Sequence, residues 1–252
     1  MQSVNTAIIT GYGINADNEL LEAFLRAGSS AVKVHIREFI DSPRLMSNFH
    51  IIAFPGGFSF GDHLGSGLVL AQLVKNHLKS SLDRFVASGK LIIGICNGFQ
   101  VLTKMGFLPN LEGNWMQEVS LIHNDSGLFE DRWVKLKFNP KCSSPWISGL
   151  EEIELPIRNG EGRFLTKSKT VLEALHRLGL VALRYEDDIN GSVDRIAGIT
   201  DTTGQILGLM PHPEAFLIRE NHPCWTRKRN NSKPEGEGIK IFKNGVEYIR
   251  KI

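Results

Sequence analysis

Short apolar runs alternate with amphipathic segments along the first half of the chain. Strand-like runs occupy residues 5–11, 31–39, 49–57 and 91–96, and apolar residues recur at helical spacing over 15–28 and 68–89. This alternation predicts a parallel sheet with helices packed on both faces. Because such sheets bind ligands at the carboxyl ends of their strands, we expect a site where 49–57 and 91–96 end.

Shorter strand-like runs follow in the second half, with one helical segment among them. The runs cover 133–138, 151–164, 181–186, 195–201 and 205–212, and the helical segment covers 170–179. We expect these strands to extend the same sheet and to add a mixed or antiparallel part. The pattern therefore predicts one α/β domain over 1–252 with a mostly parallel central sheet. Its core spans about 5–215, and a tail over 216–252 ends in a helix.

Composition narrows the class of protein only slightly. Hydrophobic residues make up 42% and charged residues 22%, and the formal net charge is +2, which gives no reason to expect nucleic acid or a membrane as partner. No apolar run approaches the roughly 18 residues of a membrane span, and we expect no signal peptide. The three cysteines, Cys96, Cys142 and Cys224, lie far apart. This fits a reducing cytoplasm, and no zinc-ligand spacing is present.

The segment GICNG places Cys96 where a buried strand meets a helix. Gly94 and Gly98 remove Cβ atoms that would clash at such a corner, so the pattern is a nucleophile elbow with Cys in place of Ser. The helix that follows points its N-terminus at the sulfur and favours the thiolate over the thiol. The backbone N–H of Asn97 can donate to an oxyanion. The alternative is a buried structural cysteine.

His212 is the best candidate for the base that this nucleophile needs. It ends the apolar run ILGLM and opens the segment HPE. On an extended segment, side chains two residues apart point to the same side, and Pro213 is expected to keep this one extended. Glu214 can then hold the imidazole, as the acid does in a nucleophile–base–acid triad. The other histidines suggest only surface or core positions: His35, His50, His63, His77, His123, His176 and His222.

The segment FPGGFSFGD supplies a second candidate for oxyanion binding. Gly56 and Gly57 follow a strand, so their N–H groups are expected to be free and unobstructed. The rival interpretation is a phosphate-binding loop. The segment lacks the glycine spacing and the lysine of that motif, so the oxyanion interpretation is preferred.

The motifs PGG, GICNGFQ and PHPE, at these separations, resemble those of the class I glutamine amidotransferases, which use a Cys-His-Glu triad. Longer segments resemble one family in that class, the glutaminase subunits of phosphoribosylformylglycinamidine synthase. These segments are FPGGFSFGD, NDSGLFEDRW, GEGRF, IAGITD, GLMPHPE and ENHPCWTR. The match runs from GYGIN to FKNGVEYI, so the resemblance covers almost the whole chain.

The resemblance implies a reaction and a set of site residues. Cys96 would attack the side-chain amide of L-glutamine, release ammonia and form a γ-glutamyl thioester, with His212 moving protons and Glu214 completing the triad. Water would then hydrolyse the thioester to glutamate. The residues implied in oxyanion and glutamine binding are Gly56, Gly57, Phe58, Asn97, Gln100, Gly160 and Phe164.

The resemblance also implies partners. A synthetase subunit would use the ammonia, with ATP and Mg²⁺ bound there, to convert formylglycinamide ribonucleotide to its amidine, and a small bridging subunit would help to join the two. No cofactor or metal is expected on this chain, and a cytoplasmic location is expected. The basic tail is the docking candidate, with a solvated charged loop as the alternative. It includes Trp225, Arg227, Lys228 and Arg229.

The sequence departs from the family pattern at a few places. Asn159 stands where many relatives carry His before GEGRF, Ala16 stands where Cys is common, and HLGSG replaces a segment containing Arg-Ala-Gly. These departures concern the pocket and the partner surface, and none affects the triad. Two other functions stay open: an amidotransferase or cysteine hydrolase of another pathway, and a non-catalytic module that kept the fold.

Overall fold

The computed structural model describes residues 3–227 and 234–252. Within them the strands are β1 Asn5–Thr10, β2 Ser30–His35, β3 Ile51–Phe54, β4 Leu91–Ile95, β5 Val119–Ile122, β6 Glu130–Phe138, β7 Glu152–Asn159, β8 Arg163–Thr166, β9 Val181–Tyr185, β10 Ile196–Thr200 and β11 Ile206–Leu209. The helices are α1 Asp17–Arg26, α2 Ile36–Asp41, α3 Leu68–Ala87, α4 Asn97–Lys104, α5 Lys169–Arg177 and α6 Ile239–Lys251.

A nine-stranded sheet carries the fold, in the order β2-β1-β3-β4-β11-β10-β9-β6-β7. The five strands from β2 to β11 run parallel, and β10, β9, β6 and β7 continue the sheet in antiparallel pairs. The predicted α/β class, with a mostly parallel sheet and a mixed extension, is confirmed. Strands β4 and β11 are neighbours, so the chain leaves both at one edge of the sheet.

The apolar residues of the central strands form the core, as their unbroken hydrophobic runs predict. Strands β3, β4 and β11 are buried along their whole length. Helix α1 turns Leu20 and Phe24 to this core, whereas Leu25 is 46% exposed. Helix α6 packs on α1 through Phe242 and Phe24, whose ring centroids lie 5.1 Å apart.

Two segments differ from their predicted secondary structure. The strand predicted over 31–39 ends at His35, because the His35 Nδ1 accepts from the Arg37 N–H and the Glu38 carboxylate accepts from the His35 N–H. This capping box starts α2. The single strand predicted over 151–164 is two strands, and the second, β8, pairs with β5 in a separate two-stranded sheet.

The tail over 216–252 is packed against the rest of the chain where it is described. Phe216 and Leu217 are buried, and one face of α6 is buried as well. Lys228 and Arg229 of the predicted basic cluster lie outside the described residues. No helix in the described part of the chain is long and apolar enough to cross a membrane.

Candidate active site

Cys96 occupies the sharp turn between β4 and α4. Its backbone has φ 52° and ψ −107°, a strained conformation for a residue with a side chain. The Cys96 N–H donates to the Leu209 carbonyl of β11 at 2.8 Å, and the Cys96 carbonyl accepts from the Gln100 N–H at 3.0 Å. Two elements therefore hold the turn, and the cysteine lies on a nucleophile elbow as predicted.

The flanking glycines let β4 and α4 approach closely. A Cβ on Gly94 would lie 2.8 Å from the Gly98 carbonyl oxygen, and a Cβ on Gly98 would collide with the carbonyl of Phe54. Backbone atoms cannot move aside as a flexible side chain can. The elbow therefore requires glycine at both positions, in agreement with the sequence interpretation.

His212 follows β11 and is fixed through its backbone to the edge strand β7. The His212 N–H donates to the Pro156 carbonyl at 2.8 Å. Pro156 is tolerated within β7 because this strand lies at the edge of the sheet. The segment was expected to stay extended, but Pro213–Ala215 forms a 3₁₀ turn that starts with the fixed φ of proline. This turn, and not an extended strand, brings Glu214 back to His212.

The three predicted catalytic side chains meet at one place. His212 Nδ1 lies 2.6 Å from Glu214 Oε1, and both side chains are buried. Burial disfavours the imidazolium, but the Glu214 carboxylate and the negative charge of Cys96 outweigh it and raise the pKa of His212 to about 10. The His212 Nε2 has no hydrogen-bond partner of standard geometry within the described residues, but Cys96 lies near enough to interact with the ring. The imidazole is therefore placed to take the thiol proton.

The raised pKa of His212 predicts a pH dependence of stability. The ordinary pKa of 6.5 applies in the unfolded chain, so the stabilisation is complete below about pH 6.5 and is lost as the pH rises to about 10. We expect the free energy of unfolding, from urea denaturation, to fall across this window more steeply in the wild type than in His212→Asn. The exposed His77 serves as control, and His77→Asn should keep the wild-type slope. Equal slopes for the wild type and His212→Asn would contradict the prediction.

Gly56 and Gly57 form a close-packed loop against the triad. A Cβ on Gly56 would lie 3.0 Å from His212 Cε1 and 3.5 Å from Cys96 Cβ, so a side chain there would intrude between base and nucleophile. Gly57 has φ +146°, which side-chain-bearing residues rarely adopt. Among the described residues no acceptor binds the N–H of Gly57 or of Asn97. Both groups are left for an oxyanion, although their role in the reaction stays a prediction.

The Gln100 amide is engaged by the protein itself. Asn97 Nδ2 donates to Gln100 Oε1 at 3.0 Å, and Gln100 Nε2 donates to the Glu161 carbonyl at 2.7 Å. The Asn97 Oδ1 in turn accepts from the Ser59 N–H at 3.3 Å. These bonds join the loop after β3, the start of α4 and the loop between β7 and β8. The predicted contact of Gln100 with glutamine stays a prediction.

A cavity of about 610 Å³ opens over the triad, which is within the usual range for small-molecule sites. Its lining includes Cys96, His212 and Glu214 together with four other predicted residues, Gly57, Phe58, Gln100 and Gly160. Phe164 is placed elsewhere. It is fully buried and stacks on Phe99 of α4, with 6.3 Å between the ring centroids. The predicted place of Phe164 in the pocket wall therefore does not match the structure.

Several lining residues were not among the predicted site residues, although Ala16 and Asn159 had been noted as departures from the family pattern. The cavity is also lined by Asn15, Ala16, Glu19, Asp62, Ser66, His123, Phe129, Arg158, Asn159, Glu161 and Ala215. His123 was expected at an unremarkable position. It precedes the segment NDSGLFEDRW, whose resemblance to the family was the one available signal. The Arg158 carbonyl lies 3.6 Å from the Cys96 sulfur, a contact of a backbone atom that no side-chain pattern reveals.

This arrangement defines a class of protein. A strained cysteine, a buried imidazole held by a carboxylate and free backbone N–H groups beside a small-molecule cavity are the parts of a thiol acyl-transfer enzyme. Within the described residues no group of three or more His, Cys, Asp or Glu side chains is arranged to hold a metal ion.

The comparisons agree with this class. Residues 3–249 match the family described as the CobB/CobQ-like glutamine amidotransferase domain. The chain is 41% identical to phosphoribosylformylglycinamidine synthase subunit PurQ of Dehalococcoides mccartyi, over 100% of both chains. It is 39% identical to the subunit of the same name from Methanococcus maripaludis, over 97% of each. The structure of PurLQS from Thermotoga maritima superimposes with a TM-score of 0.74 at 30% identity, over 98% of this chain and 100% of that chain.

The chain therefore belongs to the CobB/CobQ-like glutamine amidotransferase family. The resemblance deduced from PGG, GICNGFQ and PHPE is confirmed, as is the expectation of an enzyme.

Proposed function

We propose that this chain is the glutaminase subunit of phosphoribosylformylglycinamidine synthase and serves purine biosynthesis. The observation that carries the proposal is full-length similarity to subunits of that name, joined to an intact Cys96–His212–Glu214 site. A non-catalytic module has no need of a strained cysteine beside a buried, carboxylate-held imidazole. The intact site therefore argues against that alternative.

The chemistry follows from the geometry. The Cys96 sulfur gives its proton to His212 and attacks the side-chain amide carbon of glutamine, and the oxyanion lies near the N–H groups of Gly57 and Asn97. The imidazolium returns the proton to the leaving nitrogen, so that ammonia departs and a γ-glutamyl thioester remains. Water then attacks the thioester, His212 accepts its proton, and glutamate leaves with the sulfur restored.

The charged groups of the cavity support an amino acid substrate. Asp62 and Glu161 provide carboxylates that suit an α-ammonium group, and Arg158 provides a guanidinium that suits an α-carboxylate. The two carboxylates are held in place, because the Ser66 hydroxyl donates to Asp62 at 2.9 Å and the Lys104 ammonium lies 3.8 Å from the Glu161 carboxylate. Burial, and secondarily Glu161, raise the pKa of Asp62.

Ammonia release implies a partner. In neutral water ammonia becomes ammonium, which is not nucleophilic, so a synthetase gains from a dry path between the two sites. We place the docking surface at the cavity mouth in preference to the basic tail, because Phe58 is 49% and Phe129 is 54% exposed there. Leu64, between the lining residues Asp62 and Ser66 in the sequence, is 73% exposed, and Leu128, which precedes Phe129, is 67% exposed. Exposed apolar side chains of this kind mark interaction sites.

The rest of the proposal concerns the assembly and its location. ATP and Mg²⁺ are assigned to the synthetase subunit, and a small bridging subunit completes the complex. The three cysteines of the described chain are unpaired, which supports a reducing compartment such as the cytoplasm.

Glutamine hydrolysis is expected to depend on the partner. The isolated chain should hydrolyse glutamine slowly, and the synthetase subunit with ATP and formylglycinamide ribonucleotide should raise the rate by roughly 5- to 150-fold, the usual range of coupling between sites. Ammonia release is the measurement. An amide lacking the α-amino group serves as control and should not be hydrolysed. Full activity of the chain alone would contradict partner control, and failure to hydrolyse glutamine in the complex would contradict the function itself.

A further inference from the structure

A buried cluster of polar side chains lies beside Cys96. Asn159 ends strand β7, directly after Arg158, whose carbonyl is 3.6 Å from the Cys96 sulfur. Since that carbonyl belongs to the peptide bond of Asn159, the Asn159 side chain begins close to the sulfur. Asn159 also lines the catalytic cavity, although it is only 3% exposed.

The Asn159 side chain lacks the partners that its burial demands. Neither its Oδ1 nor its Nδ2 makes a hydrogen bond within the described residues. The backbone around it is fixed, because Asn124 Nδ2 donates to the Asn159 carbonyl at 2.8 Å and Asn124 Oδ1 accepts from the Gly162 N–H at 3.0 Å. On this fixed backbone the Asn159 side chain has one donor group and one acceptor group unsatisfied.

Two further side chains complete the cluster. Asn190 and Tyr185 are each 1% exposed, and Asn190 Nδ2 and the Tyr185 hydroxyl make no strict hydrogen bond within the described residues. The Tyr185 hydroxyl faces the Asn190 amide, and it lies near enough to Cys96 for the sulfur's charge to act on it. A Cβ on Gly162 would lie 2.9 Å from Asn190 Nδ2 and would collide with Asn159 Oδ1, so these two amides flank the same glycine.

Such a set of unsatisfied groups calls for an occupant. Buried polar atoms without partners are rare in folded proteins because each retains the full cost of lost hydration. The cluster offers acceptors at Asn159 Oδ1 and the Tyr185 oxygen, and donors at both amide nitrogens and the Tyr185 hydroxyl. A small neutral molecule that both donates and accepts hydrogen bonds satisfies them, as buried waters do.

We propose that Asn159, Asn190 and Tyr185 form a subsite beside Cys96 that holds one small neutral hydrogen-bonding molecule, water or ammonia, during the reaction. This inference rests on the proposed glutaminase function. Water held there would attack the carbonyl carbon of the thioester, with its proton passing to His212 and the carbon–sulfur bond breaking to release the thiolate. Ammonia held there would be the molecule just released from the amide, kept from bulk water before it leaves.

The variant Tyr185→Phe tests the subsite with little risk to the fold. It removes only the hydroxyl oxygen, which faces the Asn190 amide, so the thermal unfolding midpoint should fall little. If the subsite holds water, kcat for glutamine hydrolysis should fall by about 2- to 10-fold, the value of one hydrogen bond. The γ-glutamyl enzyme should then accumulate, as measured by intact mass after acid quenching. If the subsite holds ammonia, hydrolysis should continue while the amidine formed per glutamate in the complex falls.

Asn159→Ala provides the second variant and Tyr248→Phe the matched control. Tyr248 lies on α6 and lines a different cavity, so its variant should behave as the wild type. Asn159→Ala should change the same quantity as Tyr185→Phe, and the double variant should lose less than the product of the two single losses, because one molecule is shared. The subsite is overturned if both variants keep the wild-type kcat, the wild-type level of γ-glutamyl enzyme and the wild-type ratio of amidine to glutamate. A wild type that fails to hydrolyse glutamine would instead overturn the proposed function.

Discussion

Replacing Cys96 with alanine is expected to abolish glutamine-dependent amidation while ammonia-dependent amidation by the complex continues. The sulfur forms the bond to the substrate, and neither His212 nor the backbone N–H groups can replace it. Loss of such a nucleophile costs roughly 10⁴- to 10⁶-fold in kcat. The measurement is the rate of amidine formation by the complex with glutamine or with an ammonium salt as the nitrogen source.

Cys142→Ala is the matched control for this substitution. Cys142 is unpaired, lines a separate cavity, and burial raises the pKa of its thiol, so it is a poor nucleophile. Both rates should stay at the wild-type level in this variant. Glutamine-dependent synthesis by Cys96→Ala at the wild-type rate would rule out the thioester mechanism. Loss of both nitrogen sources would show that the substitution disrupts the complex and not the chemistry alone.

The elbow could be predicted from the sequence because everything that defines it is local. Strand β4, Cys96 and the start of α4 follow one another directly, and the two glycines mark where their backbones touch. The place of His212 needed one more rule, that parallel strands end at the same edge of a sheet. Strand β11 pairs with β4, with Leu209 opposite Ile95, so the residues that follow each strand meet there.

What could not be predicted depends on contacts between distant segments. The Pro213 turn brings Glu214 to His212, although the pattern alone favoured an extended segment. Phe164 was placed in the pocket because it belongs to the GEGRF segment, but its ring packs against Phe99 and is buried. The Arg158 carbonyl contacts Cys96 although four strands of the sheet lie between β7 and β4, so strand order does not reveal the contact.

Short-range side-chain to backbone contacts explain the other difference. The strand-like alternation of 31–39 is genuine as far as His35, where the capping box turns the chain into α2. Alternation measures only which residues are apolar, and it carries no information on a side chain that binds its own backbone. Side-chain hydrogen bonds also shape the cavity, but between distant segments, because the Asn97 and Gln100 amides tie its loops together.

Replacing Glu214 with glutamine is expected to reduce kcat for glutamine hydrolysis by roughly 10³- to 10⁴-fold, with KM little changed. The Glu214 carboxylate accepts from His212 Nδ1 at 2.6 Å, which fixes the ring and stabilises the imidazolium that forms when Cys96 loses its proton. An amide can offer its NH₂ to the same nitrogen, which favours the tautomer that cannot take a proton at Nε2. It also removes the charge that raises the pKa of His212.

The fold should survive this change, so the loss of activity can be assigned to the ring. Glutamine has nearly the same shape as glutamate, and the second oxygen of Glu214 makes no hydrogen bond within the described residues. The thermal unfolding midpoint checks this point, and Glu247→Gln on the exposed face of α6 is the control that should keep full activity. A fall in kcat of less than tenfold in a folded Glu214→Gln variant would mean that the carboxylate only packs against His212. In that case the start of α4 alone would have to stabilise the thiolate that forms when Cys96 gives its proton to His212.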